Sequence, residues 1–487
     1  MTALRYIILL LCISSASIRA DNILPGLVLN YSDFSYINSI AVGFDYVYFG
    51  STNGIIRYNT KTYKWGDPLT GIEGLEGQNV QRIMVSRDDQ TVWAKTEFGY
   101  YEYDETFGYW SPIDTFPTGL EQGKHLQPDP TYIPPPGFNY MSSGALIDSY
   151  GRRFPLTDIL DDGWSNLWVG TWGLGVLHAD VSILRLELLN FGLLQPDVST
   201  ICPDSGTLYI GGETQDSYRT GITLFDWKND TFNFVETEAT LVVNAPNVND
   251  FAYDSSKIYA ATDDGILIID KDQKQIIDRY QRSFGLPINQ VQTILVSGDT
   301  LYAGTAYGLS IINMKPDTAE ESIKTILSAN SILCLDKVAD AIWIGTSQGA
   351  YRLDVKSGKL SLLSAPQIFE NDIIYDIAHT DQSVSLAMRN NLVSINLETA
   401  EITSYPEVNN YGGARAVALQ DSTMAVATLN GLLLYTVGAK TRHQLFTKYD
   451  GLPSLDIRDL VFDGDYLWIG SDLGLTRFWY KDPAISQ

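Results

Sequence analysis

The chain has 487 residues, of which 45% are hydrophobic, so it is long enough to bury a large core. Its formal net charge of −25 at pH 7 is offset by no run of lysine or arginine, which argues against a nucleic-acid partner. Cations, cationic proteins or neutral glycans suit this charge better, although an acidic surface without a charged partner is the simpler interpretation.

Residues 1–20 have the features of a secretory signal peptide. Arg5 supplies the positive charge, residues 6–13 form an apolar run too short to span a bilayer, and Ala20 is a small residue suited to cleavage. No later segment has the length of a membrane helix. We therefore expect residues 21–487 to form a mature protein that is periplasmic or secreted.

A short phrase recurs ten times in the mature chain. It consists of an aromatic anchor, small residues, Ser or Thr, two variable residues, Gly and an apolar strand. Tyr48-Phe-Gly-Ser51-x-x-Gly54 is a clear copy, whereas weaker copies start at Tyr209 and Ser385. The anchors or their equivalents lie at positions 48, 93, 168, 209, 259, 302, 343, 385, 425 and 468. Most intervals are 40 to 45 residues, a period that suits four short antiparallel strands and is typical of a β-propeller.

The repeats predict an all-β protein, a β-propeller of about ten four-stranded blades spanning residues 21–487. The last repeat has three strands, and residues 27–34 form an additional strand before the first repeat. We expect this N-terminal strand to complete the last blade and close the ring, which hides sheet edges. The steady spacing favours one ring of ten blades, and two smaller rings are the alternative.

A proline-rich insertion at residues 111–157 interrupts the regular spacing. It lengthens one interval to 75 residues and carries prolines at 128, 130 and 134–136. Proline has no amide hydrogen to donate to a neighbouring strand, so this segment is not predicted to form another blade. It is interpreted either as a functional segment on one face of the propeller or as a packing flap or crossover between rings.

The sequence Tyr449-Asp-Gly-Leu-Pro453, followed by Ile457-Arg-Asp-Leu-Val-Phe-Asp463 and Leu467-Trp-Ile-Gly-Ser471-x-x-Gly-Leu475, closely resembles the two-component regulator propeller repeat. That repeat occurs in periplasmic sensor regions of bacterial hybrid histidine kinases. The chain is also similar to envelope propellers associated with type IX secretion. The resemblance covers nearly the whole mature chain and implies the fold. Sensor propellers of this kind are similar to glycan-sensing ectodomains, but no kinase domain or membrane helix is expected here to transmit a signal.

The sequence shows little recognisable chemistry. Cys202 and Cys334 lie three repeats apart and are expected to be buried free thiols. The four histidines are scattered, and no metal-binding or catalytic motif is present. We therefore assign no catalytic residue, no metal ligand and no cofactor. Calcium is kept as a candidate ligand, although no motif in the sequence supports it.

A polar pair precedes the central apolar residue of nearly every first strand, where we expect the mouth of the channel. The pairs are Asn38-Ser39, Gln81-Arg82, Thr157-Asp158, Ser199-Thr200, Asn249-Asp250, Gln292-Thr293, Asn330-Ser331, Tyr375-Asp376, Arg415-Ala416 and Arg458-Asp459. They form either a ring of donors and acceptors for a polar ligand or cation, or side chains that satisfy backbone groups in each blade. Candidate ligand-binding residues from these pairs are Arg82, Asp250, Asp376, Arg458 and Asp459.

A second candidate surface follows the insertion. Trp164 and Trp172 fall in expected turns on either side of the core anchor at position 168. We expect them either to stack on a ligand or to cover the insertion. With Arg152, Arg153 and Asp158 they are expected to border the ligand or partner surface, because arginine presents forked donors to carboxylate or sulfate.

These features favour an exported, non-enzymatic propeller that binds a protein or glycan partner in the bacterial envelope or extracellular space. The alternative is a propeller-type glycan lyase or hydrolase that uses scattered polar residues at the channel mouth. Neither interpretation includes nucleic acid or an integral membrane segment.

Overall fold

A computed structural model describes residues 27–481, apart from 71–73, 89, 106, 121–122, 128–131, 214–218, 238–245, 316–322, 364–371 and 438–441. The expected signal peptide lies outside the described residues. Across the described ranges, no helix combines the length and the apolar character needed to cross a membrane. The structure is almost entirely β, with short 3-10 helices at Arg282–Phe284, Pro406–Tyr411 and Lys448–Asp450.

Ten antiparallel sheets form the blades, nine with four strands and one with five. We number the blades in chain order. Blade 1 contains Ile37–Val42, Tyr46–Ser51, Gly54–Asn59 and Lys64–Trp65; blade 2 contains Arg82–Val85, Val92–Lys95, Tyr100–Asp104 and Tyr109–Ile113; blade 3 contains Leu156–Asp161, Asn166–Thr171, Val176–Asp180 and Glu187–Leu189, with Lys124–His125 as its fifth strand.

Blades 4 to 10 continue the same order of strands. Blade 4 contains Thr200–Asp204, Thr207–Gly211, Gly221–Asp226 and Thr231–Glu236; blade 5 contains Val248–Tyr253, Lys257–Thr262, Gly265–Asp270 and Gln275–Tyr280; blade 6 contains Val291–Ser297, Thr300–Thr305, Gly308–Asn313 and Ile323–Ile326; blade 7 contains Ile332–Val338, Ala341–Thr346, Gly349–Asp354 and Leu360–Leu362; blade 8 contains Ile374–His379, Ser383–Met388, Leu392–Asn396 and Ile402–Ser404; blade 9 contains Ala414–Gln420, Thr423–Thr428, Gly431–Thr436 and Arg442–Phe446; blade 10 contains Ile457–Asp463, Tyr466–Ser471, Gly474–Phe478 and Val28–Tyr31. A separate three-stranded sheet in the insertion contains Phe138–Tyr140, Leu146–Asp148 and Arg153–Phe154.

The recurring Ser or Thr closes the turn between the second and third strands. In blade 5, the Thr262 hydroxyl donates to the Gly265 carbonyl at 2.8 Å and accepts from the Asp264 amide at 3.1 Å. The same hydroxyl-to-glycine bond recurs in other blades, for example Thr346 to Gly349 at 2.7 Å and Ser471 to Gly474 at 3.1 Å. The repeat is therefore visible in the sequence because each turn uses the same side-chain hydrogen bond.

The N-terminal strand completes the last blade, as predicted. Val28 to Tyr31 pair antiparallel with Phe478 to Leu475. Gly474 makes this pairing possible, because its φ of +140° is left-handed and a Cβ there would lie 2.2 Å from the Tyr31 carbonyl oxygen. The blade that closes the propeller is thus assembled from both ends of the described chain.

Contacts between first strands divide the ten blades into two groups. Blades 4 to 10 contact one another in order, and the ring closes where blade 10 meets blade 4. A Cβ on Gly470 of blade 10 would lie 2.8 Å from Val198, which directly precedes blade 4. Blade 1 lies between blades 3 and 2 in a separate three-blade group. The predicted number of blades is confirmed, but the described blades do not form a single ring of ten. Seven close one ring and three form a separate group, so the arrangement also differs from the alternative of two smaller rings.

An aromatic core joins the seven-blade ring to the three-blade group. Tyr31 lies 5.0 Å from Phe225, measured between ring centroids, and Phe225 lies 5.9 Å from Trp468 in the ring. Phe49 and Trp168 of the three-blade group belong to the same buried cluster. Since burial of each such side chain contributes about 1.5–3 kcal/mol, this cluster fixes the two groups to each other.

Candidate functional site

The predicted polar pairs coincide with a β-bulge that recurs near the start of most first strands. Extra residues break the register at Asn38, Thr157, Asn249, Gln292, Leu333, Tyr375, Arg415 and Arg458. In blade 7 the bulge lies at Leu333, followed by Cys334, and not at the predicted pair Asn330-Ser331. The bulge is therefore a property of the backbone repeat, and its residue types vary from blade to blade.

The aspartates that follow these bulges hold neighbouring blades together. Asp158 accepts from the Ile40 amide at 2.9 Å, and Asp250 accepts from the Ile294 amide at 2.9 Å. The same bond joins Asp376 to the Val417 amide at 2.8 Å, and Asp459 to the Ile201 amide at 2.6 Å. The last of these crosses the point of ring closure. This geometry corresponds to the second interpretation of the pairs, in which side chains satisfy backbone groups.

Three of these carboxyl groups have raised pKa values. Burial raises the pKa of Asp250 to about 6, and burial together with the negative charge of Asp250 raises the pKa of Asp459 to about 7. Burial, together with the charge of Asp459, also raises the pKa of Asp376. Desolvation outweighs the amide hydrogen bonds that favour the charged form, so these groups take up protons more readily than ordinary aspartates.

Arg458 belongs to an ion-pair cluster at the closure of the seven-blade ring. Its guanidinium lies 2.8 Å from Asp197 and 3.0 Å from Glu213 of the blade 4 region, and 3.4 Å from Asp456. Because three carboxylates surround it, the Arg458 guanidinium serves the contact between blades 10 and 4 in this structure.

The insertion connects the three-blade group to the seven-blade ring. Its strand Lys124–His125 pairs with the first strand of blade 3. Farther along, Arg152 lies 2.6 Å from Asp148 and 2.6 Å from Glu236 of blade 4, and Arg219 shares Glu236. The Arg152 side chain is only 12% exposed. Arg152 was predicted at a ligand surface. In the structure its side chain contributes to the contact between the insertion and blade 4, and so between the two blade groups.

The two predicted tryptophans lie at opposite ends of one hairpin. Trp164 is in the turn between the first two strands of blade 3, is 56% exposed and stacks under Arg87 at 5.1 Å. Trp172 follows the second strand, is 44% exposed and packs on Tyr36 at 5.1 Å between ring centroids. Six-residue strands separate their backbones by roughly 20 Å. They do not form the single patch that their spacing in the sequence indicated.

One end of the three-blade group does bring several predicted residues together. The Trp172 amide donates to the Pro155 carbonyl at 2.9 Å, two residues after the exposed Arg153. Asp158 lies on the same strand end, where its carboxylate contacts the His125 imidazole at 2.7 Å.

The exposed Arg82 from blade 2 extends this cluster. Arg82 lies close enough for its charge to lower the pKa of His125, although the hydrogen bond to Asp158 dominates and raises that pKa overall. Arg82, His125, Arg153, Asp158 and Trp172 are called the three-blade face below.

Sequence reasoning missed two members of this region. The sequence does not show that His125 has a partner, because Asp158 lies 33 residues away and only the added strand brings the two together. Tyr36, the ring against Trp172, gave no signal beyond its position before the first strand. Among the residues that the structure describes, no three His, Cys, Asp or Glu side chains converge as metal ligands would. Cys202 and Cys334 are free and buried.

No protein-family model and no curated protein matches the chain. Solved structures do resemble it. The extracellular domain of a putative hybrid two-component system from B. thetaiotaomicron has 14% identity and a TM-score of 0.48, covering 91% of this chain and 70% of that one. PorZ, described as an essential bacterial surface component of the type IX secretion system of Porphyromonas gingivalis, has 12% identity and a TM-score of 0.49, covering 91% and 68%. The WD40 β-propeller domain of Doa1 has 12% identity and a TM-score of 0.45, covering 61% and 96%.

The first two structures are of the kinds of protein that the repeat motif resembles. At these identities the similarity shows the fold alone.

Proposed function

We propose that the protein is an exported binding module that captures a protein or glycan partner in the bacterial envelope or extracellular space. The observation that carries this proposal is the three-blade face, where Trp172 stands exposed beside Arg82, Arg153 and the hydrogen-bonded pair of His125 and Asp158. The expected signal peptide supports export.

The chemistry of this face suits a partner with carboxylate or sulfate groups. Arginine and histidine concentrate here in a chain whose net charge is −25. A guanidinium offers forked donors to such groups, and an exposed indole stacks on a sugar ring or an aromatic side chain. The carboxylate of Asp158 already accepts from the Ile40 amide and contacts His125, so a partner would meet mainly the exposed side chains of Arg82, Arg153 and Trp172.

The test compares two double variants in capture from an envelope extract. Trp172→Ala with Arg153→Ala should abolish capture of the partner while circular dichroism stays unchanged. The matched control, Trp164→Ala with Arg87→Ala, removes the same residue types from the opposite end of the three-blade group and should capture normally. Capture at wild-type affinity by the first variant, or loss of capture by the control, would place the binding surface elsewhere.

The pair of His125 and Asp158 is the feature that favours the alternative, a propeller-type lyase or hydrolase. A carboxylate that orients an imidazole is a common arrangement for proton transfer. If the captured partner is a glycan that the wild-type protein shortens and the His125→Ala variant does not, the enzymatic alternative holds and the binding-only proposal fails.

A further inference from the structure

The turns at one end of the three-blade group carry large apolar side chains at their tips. In an antiparallel blade, the turn between the first two strands and the turn between the last two strands lie at the same end. In blades 1 to 3 these turns contain five strongly exposed side chains, Phe44 at 57%, Tyr63 at 74%, Phe107 at 74%, Trp164 at 56% and Ile183 at 64%. We call these five side chains the turn-tip surface.

Hydrogen bonds bring the turns of the three blades together at this end. The Phe44 amide of blade 1 donates to Oε1 of Gln90 in blade 2 at 2.8 Å, and Nε2 of Gln90 donates to the Arg87 carbonyl at 3.0 Å. Arg87 in turn donates to the Asp162 carbonyl of blade 3 at 3.0 Å and lies over the Trp164 ring at 5.1 Å. The exposed tips therefore belong to one end of the three-blade group.

The seven-blade ring has the same turns but does not expose such side chains there. In the described connections at the corresponding end of blades 4 to 10, the most exposed large apolar side chains reach only 38%, at Val355, Leu397 and Trp479. Many of these turns are polar, as at Ser255-Ser256 and Lys271–Lys274. Since short polar turns satisfy the repeat, the apolar tips are a property of the three-blade group.

Separate apolar tips suit a soft partner better than one of fixed shape. An exposed apolar surface of this size marks a site of interaction. A protein partner gains most of its binding energy in a packed centre with fitted pockets. The headgroup region of a bilayer instead admits each side chain separately, and Trp and Tyr are the residues that concentrate there. The turn-tip surface therefore matches the interface of a phospholipid bilayer.

The charges among the tips favour a zwitterionic lipid. Lys61 lies over the Phe44 ring at 4.4 Å and forms an ion pair with Asp45. Arg87 is followed in the chain by the exposed Asp88. Each cation thus has a carboxylate nearby, whereas proteins that bind anionic lipids use clusters of about four to eight Lys and Arg. A zwitterionic headgroup offers a phosphate to the cations and an ammonium group to the carboxylates.

From the turn-tip surface and its balanced charges, we propose that the three-blade group docks on a zwitterionic phospholipid bilayer, with these tips in the headgroup layer. The docking does not depend on the proposed capture of an envelope partner, because Trp172 and the three-blade face lie at the opposite end of the same blades. In this orientation the three-blade face points away from the bilayer.

Sedimentation with sucrose-loaded vesicles of phosphatidylcholine and phosphatidylethanolamine tests the proposal. The wild type should bind, and Phe44→Ala with Trp164→Ala should bind at least about tenfold more weakly, because two rings no longer enter the interface. The matched control, Phe284→Ala with Tyr449→Ala, removes rings that are 56% and 84% exposed in connections between blades of the ring. It should bind as the wild type does.

Two further variants show whether these tips are the inserted residues. Ile183→Trp should bind several-fold more tightly, since Trp favours the interface, and a folding defect would not produce this gain. Brominated phosphatidylcholine quenches tryptophan fluorescence on contact. Trp164→Phe should lose most of this quenching while it keeps most of the binding.

The lipid charge provides a second test of the chemistry. Vesicles that also contain phosphatidylglycerol should bind the wild type more weakly, because the chain carries a net charge of −25. Binding that requires phosphatidylglycerol would identify a site for anionic lipid and overturn the zwitterionic assignment.

Two other outcomes would overturn the proposal. One is that the wild type does not sediment with the neutral vesicles, and a dimer that Phe44→Ala with Trp164→Ala dissociates would then assign the tips to a second copy of the chain. The other is that this variant and the matched control lose binding equally. The variant with Trp172→Ala and Arg153→Ala should bind vesicles normally, so failure of either proposal can be distinguished from failure of the other.

Discussion

The seven-blade ring and the three-blade group are built from one repeat but are completed in different ways. The ring closes on itself, through the pairing of Val28–Tyr31 with blade 10 and the bond from the Ile201 amide to Asp459. The three-blade group instead receives the strand Lys124–His125 from the insertion, and Arg152 connects the insertion to blade 4. The repeat thus specifies the blade, while segments outside the repeat complete each of the two groups.

Removal of the closing strand should have the largest effect on this comparison. Deletion of residues 21–35 exposes blade 10 and removes buried Val28, Leu29, Tyr31 and Phe34. At about 1.5–3 kcal/mol for each side chain, the thermal midpoint should fall by about 10 °C or more. Scanning calorimetry measures this, with deletion of residues 21–26 as the control. An unchanged midpoint in the longer deletion would show that the ring does not need strand exchange.

Breaking the connection between the two groups should have an intermediate effect. Arg152→Ala leaves Asp148 and part of Glu236 without a cation in a partly buried site, which should cost about 3 kcal/mol. The neighbouring Arg153→Ala, at an exposed position, should change the unfolding free energy by less than about 0.5 kcal/mol. Urea unfolding followed by tryptophan fluorescence compares the two. Equal losses in both variants would contradict the role given to Arg152.

The smallest expected effect is a pH dependence that comes from the ring. The pKa values of Asp250, about 6, and Asp459, about 7, exceed the ordinary value of 3.8. At pH values between the ordinary pKa and the raised pKa, the folded protein binds protons that the unfolded chain does not. The free energy of unfolding should therefore rise as the pH falls from 8 to 5.

Thermal midpoints at the two pH values test this expectation, with an expected rise of about 3 °C toward pH 5. Asp459→Asn should reduce that rise. Asp272→Asn, at an exposed position, should not. A midpoint that falls toward pH 5 in the wild type would exclude the raised values.

The repeat allowed much of the fold to be predicted, because each blade uses local chemistry such as the bond from Thr262 to Gly265. The closing strand was also predictable, since an additional strand at one end matched a missing strand at the other. The division into seven and three blades was not. It depends on which first strands meet, and residues of the same types occupy those strands in both groups.

The candidate site was less accessible to sequence reasoning for geometric reasons. Trp164 and Trp172 are close in the chain, but the strands between them carry them to opposite ends of a hairpin. Arg152 and Arg153 are adjacent, yet the side chain of Arg152 is mostly buried against Glu236 whereas Arg153 is an exposed residue.

The pairing of Val28 with Phe478 also imposes an order on how the protein can reach its native state. Partners 450 positions apart in sequence meet only after every intervening blade has been produced, so the first strand to emerge waits for the last one. During synthesis and export, blade 10 has an unpaired edge that another chain could occupy. The same strand exchange that closes the folded ring therefore leaves blade 10 able to pair with another chain until the last blade has formed.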